Sequence, residues 1–182
     1  MTTYIDVFNG DADGLCALVQ LRRANPQQSK LVTGLKRDIN LLRLVDAQRG
    51  DKVTVFDISY DKNAADVIRL LECGVMINYI DHHNATKLVE HPNLDVDIDL
   101  SEKVCTSLIV DKQLNGQFRL WALVAAYGDN LSDVATTLGK QSGLSDESLG
   151  MLKELGLYLN YNGYGDEISD LFFHPTDLFE KL

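Results

Sequence analysis

The sequence predicts an α/β fold: a mostly parallel sheet with flanking helices, followed by a helical segment. Three observations predict it. Short β-branched and apolar runs alternate with stretches of helical periodicity as far as residue 83, the pattern of βαβ units. Three of those runs stop abruptly in carboxylates or imidazoles, at Asp11, at Asp57 and at Asp81-His82-His83. Beyond residue 100 the periodicity is helical.

Residues 4–8 are the first expected strand, followed by the loop Asn9-Gly10-Asp11-Ala12-Asp13-Gly14 and a helix through Leu15, Leu18, Val19 and Leu21. Asn25-Pro26 closes that helix, because a residue before proline is pushed out of the α region. Residues 31–33 form a second short strand, and the spacing of Leu41, Leu42 and Leu44 predicts a helix over 39–45. Gly50-Asp51 turns the chain into the β-branched run 52–56, which ends at Asp57. A helix follows over 64–71 and stops at Cys73-Gly74. The next strand starts after Gly74 and runs through Met76, Ile77, Tyr79 and Ile80 into Asp81-His82-His83. Four further helices are expected over 108–114, 120–127, 131–138 and 146–161, the last with Ser145 as its N-cap, and a short one over 176–182.

The chain of 182 residues can bury a full core, and its 45% hydrophobic and 24% charged content is that of a soluble globular protein. No apolar run is long enough for a membrane span, and the N-terminus lacks a basic, apolar leader, so a cytoplasmic location is expected. Cys16, Cys73 and Cys105 are too few and too scattered for a disulfide framework or a thiolate zinc site, and are expected to be buried as small apolar residues. A formal charge of −10 disfavours a long nucleic-acid duplex as partner, since such binding rests on clustered Lys and Arg.

Right-handed crossovers would bring the acidic strand ends to one edge of the sheet, where open α/β sheets bind ligands. The groups gathered there are Asn9, Asp11 and Asp13; Asp57; Asp81, His82 and His83; and Asp129, which ends a later helix. Carboxylates at this density repel one another, and bound divalent metal is the simplest neutralisation. A solvated Asp/Gly turn explains each cluster singly, but explains their joint placement poorly. Oxygen and imidazole ligands without thiolate suit Mn²⁺, with Mg²⁺, Co²⁺ or Zn²⁺ as alternatives. An EF-hand reading of Asn9, Asp11, Asp13, Gly14 and Gln20 fails, because a strand precedes the loop and Gln20 cannot supply the closing bidentate carboxylate. His91, His174, Arg22 and Arg23 read as surface residues, and Trp121, Tyr158, Tyr161, Tyr164, Phe172 and Phe173 as packing. Lys36 or Arg37 could reach a phosphate.

Together, Asp11-Ala12-Asp13-Gly14, Phe56-Asp57, Asp81-His82-His83 and the aspartate of Tyr127-Gly128-Asp129 resemble the ordered motifs of the DHH phosphoesterase superfamily. That group includes RecJ-like exonucleases, phosphodiesterases of short oligonucleotides and cyclic dinucleotides, and family II pyrophosphatases. Thr106-Ser107 also matches a small helix start found in many members. The resemblance implies a catalytic α/β domain over 1–145 and a helical linker and tail over 146–182, without the family's usual second, substrate-gripping domain.

For the site, the resemblance implies that Asp11 ligates one Mn²⁺, that Asp13, His82 and Asp129 ligate another, and that Asp57 ligates both. His83 would face the scissile phosphate, and Asp81 would hold the histidines in place. Val7 and Asn9 stand where relatives carry stronger ligands, which makes the first ion the weaker one. The implied activity is hydrolysis of a phosphodiester in a nucleotide or short oligonucleotide by a water activated by two metals. Phosphoanhydride hydrolysis and a non-catalytic metal- or nucleotide-binding module are the alternatives.

Overall fold

The computed structural model describes residues 2–182. Five strands, β1 (Tyr4–Phe8), β2 (Lys30–Thr33), β3 (Lys52–Phe56), β4 (Met76–Asp81) and β5 (Leu94–Ile98), pair in the order β2-β1-β3-β4-β5, all parallel. Seven helices accompany them: α1 (Ala12–Ala24), α2 (Tyr60–Glu72), α3 (Thr106–Gln113), α4 (Arg119–Gly128), α5 (Ser132–Gln141), α6 (Asp146–Asn162) and α7 (Pro175–Lys181).

The sheet is apolar on both faces, as a parallel sheet covered by helices requires. Ile5, Val7, Val53, Val55, Ile77 and Tyr79 point into a core shared with Val67 and Leu70 of α2. Their neighbours Phe8, Phe56 and Ile80 point the other way, into a core shared with α1, α3, α4 and α6. Residues 146–182 enter this second core through Leu159 and Leu178. Helices α4 and α6 touch through backbone: a Cβ on Gly156 would lie 2.2 Å from the Val124 carbonyl oxygen.

Strand order reverses between β1 and β3, the switch point at which a crevice opens outside the strands' carboxyl ends. Phe8 pairs with Phe56 and Phe56 with Ile80, so Asn9, Asp57 and Asp81 follow at one level.

Several expectations are corrected. Residues 39–45 form no α-helix, only a 3₁₀ turn at Leu42–Leu44. Leu41, Leu42 and Val45 are buried there, but the backbone is held by Asn63, whose Oδ1 accepts from the Leu42 N–H (3.0 Å) and whose Nδ2 donates to the Ile39 carbonyl (2.6 Å). Strand β5 was not expected. Cys73 is exposed, because it caps the C-terminus of α2, whereas Cys16 and Cys105 are buried. Arg22 is no solvated charge: its Nε and Nη2 grip the fully buried Asp6 at 2.7 and 2.5 Å, the counter-charge that a carboxylate on the inner face of β1 requires. Tyr158 and Tyr161 are exposed, since α6 buries only one narrow stripe, with Leu149, Gly156 and Leu159 on it, and Tyr164, Phe172 and Phe173 are exposed in the segment that follows. Among the described residues no helix is long and apolar enough to cross a membrane.

Candidate metal centre

The loop after β1 is shaped by its own side chains. Asp11 is the N-cap of α1, and its Oδ1 accepts from the N–H groups of Asp13 (3.0 Å) and Gly14 (3.2 Å). Only glycine fits at position 14, because a Cβ there would lie 2.4 Å from the Asn9 carbonyl oxygen. Asp13, in the first turn of α1, receives the N–H groups of Thr106 (2.7 Å) and Ser107 (2.8 Å) at the start of α3. A helix N-terminus therefore holds this carboxylate against the sheet.

Asp57 leaves β3 in the left-handed region, with φ of 59°. An aspartate tolerates this better than most residues, and such backbone strain gathers at functional sites. Its Oδ1 accepts from the Thr106 hydroxyl at 3.2 Å. Asp129 follows the last turn of α4.

His82 and His83 leave the end of β4 with different attachments. The Nδ1 of His82 lies 3.1 Å from the Val104 carbonyl oxygen, an acceptor only, so Nδ1 carries the proton. Its Nε2 then faces Asp57 Oδ1 at 3.4 Å, and Asp13 Oδ2 and Asp129 Oδ2 at 3.8 Å each. His83 instead directs Nδ1 to Asp81 Oδ1 at 2.6 Å, and the same nitrogen lies 3.9 Å from Asp57. Ligand atoms of Asp13, His82 and Asp129, and of Asp57, His82 and His83, form two groups within 4.8 Å.

No protein-family model matches the chain, and no curated protein matches its sequence. Solved structures do. The DHH domain of a member of the s1p family of ribosomal proteins superposes with TM-score 0.61 at 16% identity, over 87% of this chain and 47% of that one. The fold is that of a DHH domain. Exonuclease RecJ bound to manganese superposes with TM-score 0.56 at 18% identity, over 88% of this chain and 53% of that one. CDC45 from Entamoeba histolytica gives 0.53 and 13%, over 79% and 35%. The chain thus spans about half or less of the length of these proteins.

Within this DHH fold Asp11, Asp13, Asp57 and Asp81 are crowded together and buried, with Asp129 at the partly exposed rim. Burial, then Asp13 and Asp11, push the Asp57 carboxyl well above its ordinary range. Burial and Asp13 raise Asp129 to about 6, although His82 opposes them. The hydrogen bond to Asp81 raises His83 in spite of its partial burial.

A divalent cation fits this donor set. Three carboxylates and one imidazole nitrogen converge here, a concentration of negative charge that a bound cation would offset, and three oxygens with one nitrogen suit a hard or borderline ion. The Asp13, Asp57, His82 and Asp129 atoms meet that requirement. His83 does not join them, because the nitrogen nearest Asp57 is the one bonded to Asp81.

Asn9 and Asp11, expected as ligands of a further ion, are engaged otherwise. The Asn9 Oδ1 accepts from the Asp11 N–H (3.2 Å), and its Nδ2 donates to the Lys36 carbonyl (3.0 Å). The second Asp11 oxygen holds the Lys36 ammonium at 2.5 Å. Asn160, absent from the sequence reading, accepts from the same ammonium at 2.8 Å. It carried no signal, lying 124 residues away in an ordinary helix.

Proposed function

We propose that this chain is a metal-dependent phosphoesterase, a hydrolase that cleaves a phosphodiester in a nucleotide or short oligonucleotide. The observation that carries the reading is His82, with Nδ1 fixed on a carbonyl and Nε2 facing Asp13, Asp57 and Asp129. Those four residues would hold the ion, with Mn²⁺ favoured by the donor set and by the manganese-bound RecJ of the same fold. When bound, such an ion supplies Lewis acidity toward a phosphoryl oxygen and lowers the pKa of a coordinated water.

The chain's own residues do the rest. Asp13 is held by the α3 N-terminus, so its direction is set before ligand arrives. His83, half-exposed and with its pKa raised by the hydrogen bond to Asp81, would in its protonated form present positive charge toward the phosphate and a proton for the departing oxygen. Asp81 is a positioning residue, fully buried behind His83. Residues 1–145 contain every proposed ligand, and residues 146–182 reach the neighbourhood of the site through Asn160, which accepts from the Lys36 ammonium. The net charge of −10 favours a short substrate over a long duplex.

The test is hydrolysis of bis(p-nitrophenyl) phosphate, a short single-stranded oligonucleotide and pyrophosphate, each with and without Mn²⁺. Turnover of the diesters only with Mn²⁺, lost in Asp57→Asn, is the expected result. Cleavage of pyrophosphate alone would replace this reading with phosphoanhydride hydrolysis. Mn²⁺ binding without any turnover would replace it with a binding module.

A further inference from the structure

We propose that the Lys36 ammonium takes the place of the ion that Asp11 would otherwise hold, so that this chain binds one divalent cation, on Asp13, Asp57, His82 and Asp129, and not two. The inference rests on the metal-dependent reading above and narrows its stoichiometry.

Four observations carry it. Asp11 Oδ1 accepts from the Asp13 and Gly14 N–H groups, and Oδ2, the oxygen left to face a cation, already faces one in the Lys36 ammonium. The Asn9 Oδ1 accepts from the Asp11 N–H and its Nδ2 donates to the Lys36 carbonyl, so Asn9 offers at most one neutral oxygen that is already shared. Val7, two residues earlier on β1, points into the core shared with α2 and has no exposed surface. Lys36 itself is gripped along its length. Its N–H donates to the Gly163 carbonyl (2.9 Å), its carbonyl accepts from Asn9, and its ammonium lies between Asp11 and Asn160 with Nζ 5.9 Å from the Tyr164 ring centre.

Three segments far apart in sequence thus fix one positive charge beside Asp11. A divalent ion on the same carboxylate would face that charge at close range. Asn9 beside them is neutral, so one carboxylate charge meets one ammonium charge. A short carboxylate–ammonium contact between partly buried groups is strongly attractive in the low local dielectric, and Asn160 meets a further ammonium donor.

Metal-free protein is titrated with Mn²⁺ by calorimetry, bound Mn²⁺ is counted by elemental analysis after desalting, and the electron paramagnetic resonance spectrum of the bound ion is recorded. One ion per chain with the six-line signal of isolated Mn²⁺ is the expected result. Two ions with an exchange-coupled signal would overturn the inference and leave the metal-dependent reading standing. No bound ion would overturn that reading, and the inference with it. Two variants separate the roles further. Asp11→Asn should still bind one ion, and loss of that ion would overturn the proposal. Lys36→Met should take up a second Mn²⁺ at raised concentration, and a count that stays at one would show that Lys36 is not what stands in an ion's place.

Discussion

At the scale of single residues, two adjacent histidines are separated by what their Nδ1 atoms bond. His82 leaves Nε2 free for an ion, and His83 does not turn a free nitrogen toward Asp57. His82→Ala is therefore expected to lose bound Mn²⁺ by 10-fold or more in affinity, the order seen when a ligand or its support is removed. His83→Ala should keep its metal and lose turnover, by about 10²–10⁴-fold if it supplies the proton. Elemental analysis with steady-state kinetics checks both, and equal metal loss would show the split to be wrong. Asp57 carries the opposite trade. Its charge is disfavoured by burial and by Asp13 and Asp11, so Asp57→Asn should raise the melting temperature of metal-free protein at pH 8. A rise of about 2–4 °C corresponds to roughly 1 kcal/mol in a domain of this size. The same variant should show no further rise with Mn²⁺ in differential scanning calorimetry. The clusters at residues 11–13, 57, 81–83 and 129 were legible in sequence because each sits next to a strand or helix end. The Lys36 contact to Asp11 was not, since 25 residues separate the partners and only the fold joins them.

At the scale of elements, the parallel strands that carry the site were legible as β-branched runs bounded by turn residues, and the later helices by their apolar spacing. Two elements were not. Strand β5 alternates Leu94, Val96 and Ile98 with Asp95 and Asp97, the period-two pattern of an edge strand, and its acidic half masks it as loop. Residues 39–45 have helical apolar spacing and no helix, because a distant side chain offers the backbone better partners. Asn63, fully buried on α2, bonds Leu42, Ile39 and also its own helix at the Ser59 carbonyl, 2.8 Å away. Asn63→Ala would leave buried backbone groups unpaired, at about 1–3 kcal/mol for each left without a substitute. Urea unfolding should show the midpoint falling with an unchanged m-value, and a change under 0.5 kcal/mol would mean that the loop repacks around the loss.

At the scale of the whole molecule, the site makes stability depend on pH and metal together. Asp129 rises from 3.8 to about 6 on folding, and Asp57 rises well above 3.8. Folded protein therefore binds more protons than unfolded protein above pH 4, and stability falls as pH climbs through that window. His83 has the same sign: its raised pKa gives stability present below 6.5 and lost as pH rises through the folded value. Asp51 and Asp170, lowered by backbone N–H groups at Gln48 and Glu167, have the opposite sign, but their effect lies below about pH 4. Metal-free protein should thus melt higher at pH 5.5 than at pH 7.5, the reverse of a protein held together by surface carboxylate pairs. Mn²⁺ needs those carboxylates charged, so its stabilisation runs the other way. At 100 times its dissociation constant, one ion adds about 2.7 kcal/mol, or roughly 5–11 °C here. That rise should be full at pH 7.5 and shrink toward pH 5.5 as protons compete for Asp57 and Asp129. Calorimetric scans at both pH values, with chelator and with Mn²⁺, check the two slopes at once. A Mn²⁺ shift of equal size at both pH values would place the bound ion away from these carboxylates.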